Sequence, residues 1–398
     1  MDNRKKDVTR FVITACERLH RMSEVEMCEH KGIGHPDSLC DGVAEAVSLA
    51  LNHAYLQAYG RIQHYNVDKA LLIGGESQPR FGGGRVLTPM RLILCGRASP
   101  LPNAGLAELV RTAAYHYLSE NLRCDPALFE IECAVRSGSP NLQQAFGRGT
   151  SLALANDTSF GIGFSPYSPI ENQVLQLGAL LHSAGFQARF PAAGDDYKIM
   201  GARVGDRMTF TVALALIDRE IHHAAEYFAV KQAITEYLLA SLAFPCDLAI
   251  NTLDDPGASG VDGIYLTVSG LSAEQGDDGQ VGRGNRMNGL ITPCRSMSLE
   301  AVAGKNPVSH VGKLYNALAW EIARAIVTEV EGVEEATVQL LSRIGQSVDC
   351  PALVAIELGC RTPLNEAMRQ AVQNLAYAHL SDIERTTARL VRGDLPAF

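Results

Sequence analysis

Two segments set chemically capable residues at spacings that allow chemistry. The first, KGIGHPDSLCDG (residues 31–42), places a histidine, a proline and two aspartates between glycines. Pro36 suits the first position of a helix, where its missing N–H leaves no bond unmade. His35 then falls at the N-cap, a place more often held by Ser, Thr, Asp or Asn. Asp37 and Asp41, four residues apart, share one side of that helix. A helix N-terminus attracts anions such as phosphate. Carboxylates beside phosphate call for a divalent cation between the like charges. The same spacing also suits a capped helix with a solvated acidic edge, and spacing alone leaves both readings open.

The second segment, EQGDDGQVGRGNRMNGLITPCRSMSLEAVAGKNPVSHVGK (274–313), is locally basic in an acidic chain. From Arg283 to Lys313 it has five basic residues (Arg283, Arg286, Arg295, Lys305, Lys313) and one acid, Glu300. Its glycines let backbone approach a ligand closely or take positive φ. Arginine forks and lysine point charges suit phosphate, although a charged surface loop has the same composition. The pattern is not GxxxxGK[ST], and no strand-borne GxGxxG opens a helix, so neither a P-loop nor a Rossmann site is indicated.

Three shorter stretches are ambiguous. LANDTSFGIGFSP (154–166) offers Asp157 to an amine or a ribose, with phenylalanines nearby for a base, or it forms an Asx-turn. AAGDDYKIMG (192–201) sets Lys198 beside Asp195 and Asp196, which reads most simply as a surface ion pair. The acids of GDDG (276–279) bind a cation or an ammonium group, or shape a turn. His64, His116, His182, His222, His223 and His379 lie in ordinary contexts. No HExxH, GxSxG or Cys–His pairing supports a hydrolase.

These segments need elements to position them. From Pro36 to about Tyr59, Cys40, Val43, Ala44, Val47 and Leu51 repeat at helical spacing and form one apolar face. Asp37 lies near its border, Asp41 further round, and Glu45 furthest out, where solvent is expected. Strands are expected at 70–75, 91–96, 128–135, 208–218, 247–252, 264–270, 336–342 and 353–358. Residues 74–84 between the first two are too rich in glycine to be regular. Helices are expected at 105–122, 169–185, 220–243 and 313–329, with a closing helix at about 364–391. Strand pairs separated by long helices suit α+β layers better than a doubly wound sheet. The rhythm recurs about every 120–130 residues, which suggests a threefold repeat without residue-level self-similarity.

The bulk properties bound the function. A chain of 398 residues is long for one core and implies two or three domains. It is 46% hydrophobic and 20% charged. The net charge of −9 argues against a general nucleic-acid binder. Ten scattered cysteines without a CxxC pair signal neither zinc nor a thioredoxin-like motif. No signal-peptide-like run opens the chain and no stretch of about 20 apolar residues spans a membrane. A reduced cytoplasm is the expected setting.

At its chemical segments the chain resembles a known family. KGIGHPDSLCDGVAEAVS, GGESQPRFGGG, LANDTSFGIGFSP, GDDYKIMG, GDDGQVGRGNRMNGLITP and GKNPVSHVGKLYN together resemble the archaeal-type S-adenosylmethionine synthetases (methionine adenosyltransferases). The matching blocks run in order from about residue 24 to 320, and weaken after about 340. The resemblance implies attack of the methionine sulfur on C5′ of ATP, loss of the whole tripolyphosphate, and its hydrolysis to pyrophosphate and phosphate. It implies three similar α+β domains about a pseudo-threefold axis, near 1–145, 146–260 and 261–398 and interleaved in sequence. It further implies a homodimer, or a dimer of dimers, with active sites between subunits, two Mg²⁺ ions and K⁺.

By the same resemblance, His35 donates toward the oxygen bridging C5′ and the triphosphate. Lys198, Arg283, Arg286, Lys305 and His310 hold phosphates. Asp37 binds Mg²⁺, with Asp277 as a second metal-side acid. Asp277 and Asp157 meet the methionine ammonium or the nucleoside, and Glu76 stands on the methionine side. Lys313 anchors the helix that follows. An ATP-linked loop corresponds to RSGSPN (136–141), through Ser137, Gly138, Ser139 and Asn141, but keeps only Gly138 and Ser139 of the family's GQGSMD-like pattern. TPCRSMS (292–298) also departs from the usual Phe-Arg-Pro form. The alternatives are a paralogue using another thioether, a phosphotransferase or phosphohydrolase of another class, and a non-catalytic binding subunit. The joint presence of His35, Asp37, Lys198, Asp277, Arg283 and Lys305 favours the transferase.

Overall fold

The computed structural model describes residues 9–102, 105–138, 152–242 and 245–398. Their strands form three larger sheets that share one plan. In the first sheet, β3 (Tyr65–Ile73) pairs antiparallel with β6 (Met90–Ala98). There β7 (Phe129–Arg136) lies parallel to β6, and β13 (Gly279–Gln280) antiparallel to β3. In the second, the antiparallel pair is β9 (Ala193–Val204) and β10 (Arg207–Ile217). There β11 (Cys246–Ile250) is parallel to β10, β2 (Val25–Lys31) antiparallel to β9, and the short β12 (Leu266–Thr267) also joins β10. In the third, β14 (Val333–Leu341) pairs with β15 (Leu353–Cys360). There β1 (Arg10–Ala15) is parallel to β15 and β8 (Phe160–Ser165) antiparallel to β14.

A long helix precedes each central pair: α1 (Pro36–Tyr59), α3 (Pro169–His182) and α6 (Val311–Glu329). A second helix follows each pair: α2 (Leu106–Asn121), α5 (Ala224–Ala240) and α7 (Glu366–Ser381). The short α4 (Ala184–Arg189) prolongs α3, and α8 (Ile383–Arg392) follows α7. The strand that leads into each long helix lies in a different sheet from the one that helix covers. Thus β2 precedes α1 but joins the sheet under α3, and β8 precedes α3 but joins the sheet under α6. The third, β13, precedes α6 but joins the sheet under α1. The linkers 32–35 and 281–310 therefore cross from one sheet to another, and these are the chemical segments singled out above.

Each sheet has its own apolar core. In the first, Leu39, Val43, Val47 and Leu51 of α1 pack with Leu72 and Leu92 of the strands, all nearly inaccessible. Full burial of such a side chain is worth about 1.5–3 kcal/mol. In the third, Gly161 and Gly163 let α6 lie directly on β8. A Cβ there would stand 2.1 Å from the Tyr315 carbonyl carbon and 2.3 Å from the Trp320 nitrogen.

The elements differ from expectation in definite places. Both β8, in a stretch that reads as a loop, and β9 are strands where none was expected. In β8, glycine at alternate positions erases the period-2 signal, and in β9 two aspartates interrupt it. The glycine-rich 74–84 holds part of a small hairpin, β4 (Glu76–Gln78) with β5 (Arg85–Thr88). Only two residues of 264–270 are strand, and the closing helix breaks at Asp382. All ten cysteines are free thiols. Among the described residues no helix is long and apolar enough to cross a membrane.

Candidate active site

The N-terminus of α1 is the centre of the site. His35 is its N-cap with extended backbone, and the His35 Nδ1 accepts the Asp37 N–H at 3.2 Å. That leaves the ring proton on Nε2. Burial first, and then the Lys31 ammonium, pulls the imidazole down to about 4 against the opposing charge of Asp37. His35 is thus a neutral hydrogen-bond donor at pH 7. The preceding linker is stitched to β9, where the Gly32 N–H donates to Tyr197 O at 2.7 Å and the Gly34 N–H to Asp195 O at 3.0 Å.

Both aspartates of the motif hold the second segment in place. Asp37 Oδ1 accepts the Gln280 N–H at 2.9 Å, and its Oδ2 accepts from Lys31 Nζ at 2.8 Å. Asp41 Oδ1 accepts the Gly282 N–H at 2.8 Å. Its Oδ2 is buried without a hydrogen-bond partner, and burial pushes the carboxyl up to about 7. Lys31 Nζ also donates to Arg283 O at 2.8 Å, so one lysine ties Asp37 to the Arg283 backbone. Lys198 lies opposite Lys31 in the β2–β9 register, with its side chain exposed. Both Lys198 and the exposed Arg283 act electrostatically on His35.

Lys198 is not in the surface ion pair its neighbours suggested. Asp195 is buried against Arg123 Nε at 3.0 Å. Asp196 is buried and accepts from Ser272, through its N–H at 2.8 Å and through its hydroxyl. Burial pushes Asp196 up to about 7, with Asp277 adding to the rise and Lys198 opposing it. Asp277 itself is exposed, and Asp278 accepts the Gly74 N–H at 2.9 Å.

The five basic residues of the second segment diverge. Arg283 faces outward, whereas Arg286 turns back onto its own loop, donating to Gly282 O at 2.5 Å, Gly284 O at 2.7 Å and Ser298 O at 3.3 Å. Arg295 pairs with Glu171 at 2.9 Å and lies over the Phe164 ring at 4.1 Å, anchoring the loop to the capping box of α3. Lys305 is buried between Asp68, at 2.8 Å, and Glu300, at 3.0 Å. Burial raises Asp68, but the Lys305 ammonium outweighs it and holds that carboxyl well below its ordinary range. His310 caps α6, its Nδ1 accepting the Gly312 N–H at 3.2 Å, and burial pulls it down to about 3. Lys313 is fully buried, bonded to Glu45 at 2.6 and 2.7 Å and to Lys305 O at 3.0 Å. Glu45 is therefore not a solvated edge residue. It accepts the Gly304 N–H at 3.0 Å as well, and joins α1 to the Lys305 cluster.

The remaining sequence candidates lie further out. Asp157 is exposed and accepts the Thr158 N–H at 2.7 Å, while its neighbour Asn156 donates to Ser309 O at 3.1 Å beside His310. Glu76 is exposed on β4 and accepts from Thr88 at 3.3 Å. Ser137 and Gly138 follow β7, and Ser139 and Asn141 lie outside the described residues. The structure thus brings His35, Asp37, Lys198 and Arg283 together at one helix terminus. Asp277 acts on Asp196 instead, and Lys313 joins Glu45 to Lys305 and His310. Sequence reasoning missed Lys31 and Asp68. Lys31 stood next to the motif, but nothing distinguished Asp68 from any acid in a strand.

Fold and site together define an α+β protein with cations and carboxylates gathered at a helix N-terminus where chain segments cross between sheets. The family model described as S-adenosylmethionine synthetase (AdoMet synthetase) matches residues 10–394. The S-adenosylmethionine synthase of Methanothermobacter thermautotrophicus is 44% identical over 391 residues, covering 94% of this chain and 96% of that protein. Those of Aeropyrum pernix (94% and 96% covered) and Thermococcus onnurineus (95% and 95%) are each 43% identical. The chain belongs to the S-adenosylmethionine synthetase family.

Members of this family generally need metal ions. Among the described residues, no group of three or more His, Cys, Asp or Glu side chains is assembled to hold a metal by itself. Asp37 at the helix terminus, whose oxygens accept from Lys31 Nζ and the Gln280 N–H, and the exposed Asp277 are hard oxygen donors. One or two carboxylates completed by substrate phosphates is the usual setting for a hard divalent ion, so the donor set fits.

Proposed function

We propose that this protein is a methionine adenosyltransferase that makes S-adenosylmethionine from ATP and L-methionine. The observation that carries the reading is the convergence of neutral His35, Asp37, Lys198 and Arg283 at the N-terminus of α1 in a chain of this family. In the transfer, the methionine sulfur attacks C5′, the C5′–O bond breaks, and negative charge grows on the departing tripolyphosphate. Stabilising that charge is the main catalytic task, and fixed cations and donors accomplish it best. His35 Nε2–H donates to the leaving oxygen. Lys198 and Arg283 face the phosphates, Lys305 and His310 border them, and Arg286 shapes the loop they rest on. Asp37 and Asp277 would hold Mg²⁺, which would supply charge neutralisation.

Asp157, Asp277 and Glu76 receive the methionine ammonium and the nucleoside. Ser137, Gly138, Ser139 and Asn141 contribute the ATP-linked loop, and K⁺ assists. The tripolyphosphate is then hydrolysed to pyrophosphate and phosphate. The shared plan of the three sheets supports three similar domains about a pseudo-threefold axis, and we place the protein in the cytoplasm as a homodimer. The test is a mass-resolved assay with ATP, L-methionine, Mg²⁺ and K⁺ beside a methionine-free control. Equal amounts of S-adenosylmethionine, pyrophosphate and phosphate are expected. Phosphate release without the sulfonium product would refute the reading.

A further inference from the structure

We propose that Asn285 is a positioning residue for adenosyl transfer, setting Arg283 against the N-terminus of α1. The proposal rests on the functional reading above. Asn285 is 6% exposed. Its Oδ1 accepts the Lys31 N–H at 2.9 Å, and its Nδ2 donates to Lys31 O at 2.9 Å. These are the two bonds of an antiparallel strand pair, made by a side-chain amide in place of a peptide group.

The mimicry extends a real pairing. Glu29 and Ile291 exchange backbone bonds at 2.8 and 2.9 Å, and His30 Nδ1–H donates to Gly289 O at 2.7 Å between them. On the other side of Asn285, Lys31 Nζ holds Arg283 O, while Asp41 holds Gly282 and Asp37 holds Gln280. Residues 280–291 are thus laced along β2 and the first turn of α1. Within that lacing, residue 31 grips residue 285 with its backbone and residue 283 with its ammonium. Arg283 itself is exposed. The direction in which its guanidinium leaves the loop therefore depends on the backbone from 283 to 285, and Asn285 holds the far end of that stretch. A cation fixed before the substrate arrives needs no reorganisation as charge develops.

The test is a double-mutant cycle with Asn285→Ala, Arg283→Ala and both, read by single-turnover formation of S-adenosylmethionine. We expect Asn285→Ala to slow transfer about 10- to 100-fold, the scale of a misplacement of about 1 Å. The KM for methionine should stay within about twofold. In the Arg283→Ala background the same change should cost less than about twofold, because the residue it positions is gone. Losses that multiply across the cycle, or an Asn285→Ala enzyme within twofold of wild type, would overturn the proposal. Asn285→Asp keeps the volume and the acceptor but loses the Nδ2 donor, and carries the cycle if the alanine variant does not fold. The same cycle read by calorimetric binding of inorganic tripolyphosphate decides the matter independently of turnover. A wild type that makes no S-adenosylmethionine refutes the functional reading, while additive binding losses refute the role of Asn285.

Discussion

Replacing Gly279 by alanine tests whether the contact between α1 and β13 sets the site. A Cβ on residue 279 would stand 2.2 Å from Pro36 O, 2.3 Å from Pro36 C and 2.9 Å from Asp37 N. All three are backbone atoms of a helix terminus, so no side chain can swing aside. Real Cβ contacts are essentially never under 3.0 Å, so the two segments must part by about 0.8 Å or more. The Gln280 N–H to Asp37 Oδ1 bond, now 2.9 Å, then opens to about 3.7 Å and ceases to be a hydrogen bond. Overpacking of this kind costs about 1–3 kcal/mol, which a well-packed three-core chain survives. Catalysis is more sensitive, since displacement by about 1 Å can cost about 10²-fold. Gly279→Ala is therefore expected to remain folded by thermal unfolding while its kcat falls about 10²-fold. A variant with wild-type turnover would show that the α1–β13 contact does not position the reacting groups.

Three further outcomes follow from the geometry. His35→Ala should abolish adenosyl transfer while costing only about 1 kcal/mol of stability, the worth of a helix cap; near wild-type turnover would remove His35 from the mechanism. Asp41→Asn should stabilise the ligand-free protein in alkaline denaturant titrations. The Asp41 carboxyl is raised from 3.8 to about 7, so its protonated form contributes stability fully below about pH 4 that is lost as pH rises through about 7. About three units at about 1.4 kcal/mol each put the gain near 4 kcal/mol at pH 8, shrinking as pH falls toward 4, and a pH-independent difference would contradict it. Glu45→Ala should destabilise by about 3–5 kcal/mol by stranding the buried Lys313 ammonium. Glu45→Met with Lys313→Met should recover most of that loss in urea unfolding, and failure to recover it would mean the pair does more than satisfy itself.

Much of the site was legible because its signals are local. Pro36 at the first helical position and His35 at the N-cap are set by the neighbouring residues, and the structure places both there. The apolar face of α1 follows from 3.6-residue periodicity, which puts Val43, Val47 and Leu51 on one side of the helix. The strand pairs and long helices of the α+β plan are local signals too.

What was illegible depends on segments far apart in the chain. Glu45 lies on the polar side of α1 and reads as solvated, but Lys313, 268 residues away, brings it into a buried pair. Lys198 follows two acids in sequence, yet strand geometry turns Asp195 and Asp196 to partners of their own and leaves the lysine exposed, where it acts on His35. Residue types and local spacing were enough to name the helix terminus, its carboxylates and the cationic loop. Which cations face outward, and which are used up holding the loop, was decided by the exchange of β2, β8 and β13 between sheets. That exchange is a matter of long-range pairing, which no local pattern encodes.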